Sequence, residues 1–268
     1  MTIIKDFNGV GKLDAKMQDQ IANFCCKLGR TLIESGAEIN RVETTVEFIG
    51  HKAGVPDLRC YAELGVIFVY YENGIKNQIM KVKGHDFNFQ KVDEINNLSR
   101  LFVSDQITYS QLQKEYRRIR NKVIDFTLRR KILAAGLVSI APLLLFRTHW
   151  TNLFFAFFVG IMGFLATRFM TGHSKTPYLP VACGGLVIGL LAAIIGTMIT
   201  GTNDDMIIFS SLMPIVPGIA LTNSFREIMS KNILSGLILG MDATMVAIAI
   251  SGGVIIGKLL IRFTIGGI

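Results

Sequence analysis

The stretch GGLVIGLLAAIIG, residues 184–196, decides the fold. It lies inside an uncharged run from Leu179 to Thr200, and about 20 apolar residues of helix suffice to cross the hydrocarbon core of a bilayer. The run also carries a packing pattern. Gly185 and Gly189 stand four apart, as do Ala192 and Gly196, and small residues at this spacing let helix backbones touch inside a membrane.

Four more apolar segments flank it, so five spans are expected at about 132–150, 152–170, 179–200, 206–222 and 233–260. In the last, Gly236 and Gly240 repeat the four-residue spacing, as do Gly253 and Gly257. Loop charge sets the orientation. Arg117, Arg118, Arg120, Lys122, Arg129, Arg130 and Lys131 precede the first span. Arg168, His173 and Lys175 join the second to the third, and Arg226 and Lys231 join the fourth to the fifth. All three connections read as cytoplasmic, while Asn203, Asp204 and Asp205 fall outside. The expected topology is N-terminus in, C-terminus out, with Arg147, Lys258 and Arg262 snorkelling at outer ends.

The charges separate the chain into two domains. Of 28 basic and 20 acidic residues, 20 and 16 lie in residues 1–130. The expected architecture is mainly α: a cytoplasmic α+β domain over 1–130, then a polytopic helical membrane domain over 131–268. The first residues, MTIIKDFNGVGKLDAK, contain no apolar core of a secretory signal, so none is expected.

In the first domain, Met17, Ile21, Phe24, Cys25, Leu28 and Leu32 follow helical spacing. After Ser35-Gly36, a second helix would bury Ile39, Val42, Val46, Ile49 and Ala53, with Ser35 and Glu38 as a capping box. Strands are expected near Arg59–Tyr71 and Ile75–Val82, joined by a type I′ turn at Asn73-Gly74. Helices follow at about 91–103 and 109–130. The basic run is read as a cytoplasmic stop rather than a nucleic-acid surface, so no nucleic-acid partner is expected. Cys25, Cys26, Cys60 and Cys183, like His51, His85, His149 and His173, form no disulfide or metal pattern. No metal or cofactor is expected.

Two features of the membrane half point to function. Pro214, Pro217 and Gly218 interrupt the short fourth span. Proline frees backbone carbonyls one turn back, and short, Pro/Gly-interrupted spans are the best sequence pointer to a transporter site. Asn223 and Arg226 follow the break. Asp242, about a third of the way into the fifth span, is costly in lipid and is expected to face the bundle interior or a watery path. There it would carry a proton, bind substrate, or pair with Arg226 or Arg168.

GAEINRVE (Gly36–Glu43), the Pro217-Gly218 pair and SGLILGMDA (Ser235–Ala243) resemble the threonine/serine exporter family. The closer likeness is to its split form, the N-terminal-half subunit, similar to the subunit of the bacterial two-component succinate exporters. The resemblance runs from about residue 20 to the end. It implies a multi-pass inner-membrane exporter of a small polar metabolite, threonine and serine or a dicarboxylate such as succinate. Full-length members have about twice the spans read here, so a second small membrane subunit would complete a midplane site. Assembly as a homo-oligomer is a further expectation.

The sites expected are Asp242, Pro214, Pro217, Gly218, Asn223 and Arg226 for transport, with coupling to protons, and Glu38, Arg41 and Glu43 as a cytoplasmic motif contacting the membrane part. The competing reading is a membrane-anchored assembly or ligand-sensing subunit. An enzyme is not expected: Glu38, Arg41, Glu43 and Glu47 stand without a nucleophile–base pair, metal signature or phosphate loop.

Overall fold

The computed structural model describes residues 14–71, 77–84, 87–122, 126–146 and 148–265. The Asn73-Gly74 turn, His85, Arg147 and the first residues, read above for a signal, lie outside them. The chain divides into two compact units. One comprises residues 1–123 together with 226–235, the other residues 124–225 and 236–268. The division sets a short late segment with the N-terminal unit.

In the first unit, α1 (Ala15–Glu34) and α2 (Ile39–Lys52) pack on an antiparallel sheet, followed by α3 (Phe89–Val103) and α4 (Tyr109–Asn121). α1 buries Ile21, Phe24, Cys25, Leu28 and Leu32 as its spacing predicts, with Met17 left exposed. Gly29 is where α1 meets α2: an added Cβ would lie 2.8 Å from Val46 Cγ2. α1 ends at Ser35 and Gly36, whose φ of +82° suits glycine.

The strands correct the sequence reading. The single strand expected over 59–71 is a hairpin of β1 (Arg59–Glu63) and β2 (Val66–Tyr70), turning through Leu64-Gly65. β3 (Gln78–Lys81) pairs with β2 to give the order β1-β2-β3. The burial pattern carries the reason. Cys60, Ala62 and Leu64 are buried at even positions, then Ile67, Val69 and Tyr71 at odd ones. A continuous strand cannot change parity without moving its apolar residues to the other face; a two-residue turn can. α4 is also shorter than the expected 109–130. It stops at Asn121, Lys122 adopts ψ 112°, and the next helix starts after Thr127.

The second unit holds α5 (Leu128–Leu145), α6 (Trp150–Thr171), α7 (Leu179–Met198), α8 (Asp204–Ser211) and most of α9 (Gly218–Met229) and α10 (Ile233–Ile265). α6, α7 and α8 supply a core of Val159, Ile188, Ala192, Ile207 and Ile208, with Val254 of α10 packed against it and α5 lying on α6 and α8. α6, α7 and α10 are long and apolar enough to cross a membrane. α5 holds Arg129, Arg130 and Lys131 in its first turn and Pro142 near its end. α8 and α9, of 8 and 12 residues, are each shorter than a span.

The glycine pattern of α7 finds its counterpart in α10. A Cβ at Gly189 would lie 2.5 Å from the Val254 carbonyl oxygen, and one at Gly257 the same distance from that of Leu186. Gly185 and Gly253 likewise face backbone, at Ile250 and Ala182. Two small-residue ridges thus let these backbones meet. Gly240 instead receives Ser224, whose hydroxyl donates to the Gly236 carbonyl at 2.7 Å.

Candidate functional site

The motif GAEINRVE builds two different structures. Its first part opens α2. The first amides of a helix have no partner within it, and the expected capping box does not supply one: Glu38 is the N-cap and its own side chain caps no amide of the turn. Ser35 closes α1 instead, and Glu38 Oε1 accepts from Ser230 Oγ at 3.1 Å. The Ile39 amide donates to Glu227 Oε1 at 3.0 Å. A carboxylate from the late segment thus stands where a cap would, in the position the helix dipole favours for negative charge.

That segment, 226–235, is tied in throughout. Asn232 Nδ2 donates to Asn40 Oδ1 at 3.0 Å and to Glu227 Oε2 at 2.8 Å. Asn40 Nδ2 donates to the Ser230 carbonyl at 3.4 Å. Ser235 Oγ donates to Glu63 Oε2 and accepts from the Leu64 amide at 3.3 Å. The turn between α9 and α10 places Lys231 at φ +68°, and the Asn232 amide returns to the Glu227 carbonyl at 2.9 Å. This is a helix-ending turn that normally prefers glycine.

The second part of the motif covers a sheet edge. β1 is an edge strand, and the amides of Cys60 and Ala62 do not serve the ladder to β2. Glu43 Oε1 accepts from the Ala62 amide at 2.8 Å and Glu47 Oε1 from the Cys60 amide at 3.1 Å. The spacing explains why this works. Four residues of helix rise about 6 Å and two residues of strand about 6.7 Å, so carboxylates at i and i+4 meet amides at i and i+2. Exposed edge amides invite pairing with other chains; here they are occupied.

Together these contacts gather Glu38, Glu43, Glu47, Glu63 and Glu227. Burial is the largest influence on Glu43 and raises its pKa; the Ala62 amide opposes, and Glu47, Glu63 and Glu227 add to the rise. Burial likewise raises Glu227, which is 3% exposed, against the bonds from Asn232 and Ile39. Glu38 adds to that rise and Arg226 opposes it. Arg41, by contrast, is exposed and makes no hydrogen bond or ion pair among the described residues.

The residues expected to serve transport fall elsewhere in the sequence. The segment read as a fourth span is not one helix: α8 ends at Ser211, Leu212–Pro217 forms turns holding Pro214 and Pro217, and α9 opens at Gly218. Asn223 is half-buried on α9 and Arg226 is exposed. Asp242 lies on the exposed side of α10, and its partner is the Tyr178 hydroxyl, 3.0 Å from Oδ1, rather than Arg226 or Arg168. α10 buries a stripe through Leu239, Ala243 and Ile250, and a residue directly before Ala243 points away from it.

Sequence reasoning missed Glu227, Asn232, Ser230, Glu63 and Asn40. Glu227 had a signal: it is one of only four acids, and the one glutamate, in residues 131–268. Read as loop charge, it was hidden beside Arg226 and Lys231.

Three helices long and apolar enough to cross a membrane, following a small α+β unit along the chain, point to a membrane protein. A family model described as "Putative threonine/serine exporter" (ThrE) matches residues 23–260. The chain belongs to this threonine/serine exporter family. No curated protein and no solved structure matches it.

Proposed function

We propose that the chain is a subunit of a secondary transporter that exports a small polar metabolite across the cell's inner membrane. The substrate is threonine or serine, or a dicarboxylate such as succinate. In this reading the N-terminal unit is cytoplasmic and five segments enter the membrane, with α8 and α9 sharing one passage. A second small membrane subunit completes the pathway. The observation that carries the proposal is the interruption at Leu212–Pro217 in a chain of this family. An interrupted helix in lipid needs partners for its freed backbone groups, and discontinuous helices supply substrate and ion sites in transporters.

Asp242 supports the second subunit and the coupling role. A carboxylate on the exposed side of an apolar helix is costly against lipid. A partner helix covering that side would enclose it with Tyr178, leaving a titratable group for proton exchange. In this scheme Glu38 and Glu43 brace the cytoplasmic entrance through the 226–235 segment, and Arg41 presents a free guanidinium there.

The test is substrate counterflow in proteoliposomes containing both subunits. Asp242→Asn is expected to abolish exchange while assembly persists, and wild-type exchange would refute the assignment. The other reading, an assembly or ligand-sensing subunit without transport of its own, draws on the extent of the N-terminal unit. It predicts that the assembled partner transports equally well without this chain.

A further inference from the structure

A cleft in the N-terminal unit collects four cations, of which Arg30 alone has an ion-pair partner among the described residues. Its volume is about 490 Å³, and its lining includes Arg30, Glu34, Lys83, Asn88, Lys91 and Arg120. Four separate elements converge on it. α1 brings Arg30 and Glu34, the segment after β3 brings Lys83, the start of α3 brings Asn88 and Lys91, and the end of α4 brings Arg120.

Glu34 is the single acid among the described residues of the lining, and its Oε1 already accepts from Arg30 Nε at 2.8 Å and the Lys83 amide at 3.4 Å. Lys91 Nζ gives one hydrogen bond to the Arg120 carbonyl at 3.2 Å and keeps two donors. The Lys83 ammonium and Arg120 guanidinium are exposed and have no ion-pair partner among the described residues. Asn88 caps α3 by accepting from the Lys91 amide at 3.1 Å, which turns the positive end of a 15-residue helix toward the same cleft.

We infer that this cleft binds a small anion of phosphate chemistry carrying two or more negative charges. Among the described residues of the lining, four cations stand against one carboxylate, a surplus that a monoanion would not balance. Guanidinium forks match phosphate oxygens two at a time, and lysines add mobile point charges. The volume falls within the about 300–1,000 Å³ of small-molecule sites. Glu34, the acid in the lining, immediately precedes the Ser35-Gly36 turn into α2, so an occupant engaging Arg30 and Lys83 would hold that turn. This inference does not depend on the transport proposal.

Two sources share the chemistry, a soluble phosphorylated metabolite and a phospholipid headgroup, and the experiment separates them. The full chain in detergent is titrated with inorganic pyrophosphate at constant ionic strength by calorimetry. In parallel, acetylation of Lys83 is followed in nanodiscs of phosphatidylcholine with and without phosphatidylglycerol. Pyrophosphate binding that weakens at least about tenfold in Lys83→Ala/Arg120→Ala, but not in Arg118→Ala on the same helix, supports a soluble ligand. Phosphatidylglycerol-dependent protection of Lys83 that Arg120→Ala removes supports the headgroup. No saturable pyrophosphate binding together with no lipid protection overturns the site, as does binding or protection unchanged in the cleft variants.

Discussion

Glu227 Oε1 sits 3.0 Å from the amide nitrogen of Ile39, 188 residues earlier in the chain. This bond joins the first turn of α2 to the last turn of α9, and both ends are buried. Removing the Glu227 carboxylate strands the Ile39 amide and takes one of the two acceptors of Asn232 Nδ2. Glu227→Ala is therefore expected to lower the stability of the N-terminal unit by about 1–3 kcal/mol. Faster hydrogen exchange at the Ile39 amide would be the local signature. Glu227→Gln keeps an acceptor and is expected to retain most of the protection; equal loss in both variants would show that charge, not bonding, holds the segment.

The same carboxylate sets a pH response. The pKa values of Glu43 and Glu227 are both raised from the ordinary 4.5, burial being the largest cause. A raised carboxylate means the folded state holds the proton more tightly than the unfolded one. The stability this contributes is fully present below the unfolded value and is lost as pH rises through the folded value. Glu47 and Glu63 beside Glu43, and Glu38 beside Glu227, push in the same direction, while Arg226 opposes. The double variant Glu43→Gln/Glu227→Gln is expected to gain on the wild type as pH rises above 4.5. Thermal unfolding across that range measures the difference, and parallel curves would contradict it.

The edge of β1 gives a separate test. Glu43→Ala uncovers the Ala62 amide, in a residue only 2% exposed, and is expected to cost about 1–3 kcal/mol. Hydrogen exchange should rise at Ala62 and at neighbouring amides of the β1–β2 hairpin. Exchange unchanged at Ala62 would mean that another group covers the edge.

The α7–α10 crossing has no room for side chains. Gly257→Val places a Cβ 2.5 Å from the Leu186 carbonyl oxygen and 2.8 Å from the Leu190 amide nitrogen, backbone atoms that cannot turn aside. A marked fall in melting temperature in detergent is expected. Gly252→Ala meets nothing within 4 Å and is expected to be neutral, or to stabilise the helix by up to about 1 kcal/mol. If the two variants melt alike, the close crossing is wrong.

The cysteines should be unreactive where they are buried. Burial pushes the Cys26 thiol up to about 11 and raises Cys25 and Cys60 further. Because the thiolate is the reactive form, maleimide at pH 8 is expected to leave these three unmodified until the protein is denatured, as mass spectrometry of digests would report.

The family, the apolar helices and the amphipathic stripe of α1 were legible in the sequence because each is written in contiguous or helically spaced residues. Gly185, Gly189, Gly253 and Gly257 could be picked out by spacing as well, although which ridge meets which could not. The β1–β2 turn was present as a change of parity at Leu64-Gly65, but the stronger turn signal of Asn73-Gly74 drew the reading past it.

Local pattern thus determined the kinds of element and their apolar faces, since hydrophobic periodicity depends only on near neighbours along the chain. Only the tertiary structure decided where the polar groups of the motif go. Ser35 and Glu38 have the spacing of a capping box, yet Ser35 ends α1 and Glu38 bonds Ser230, while the α2 amide goes to Glu227. A carboxylate bonds whichever donors the fold brings within about 3 Å, and for Glu227 that donor lies 188 residues away.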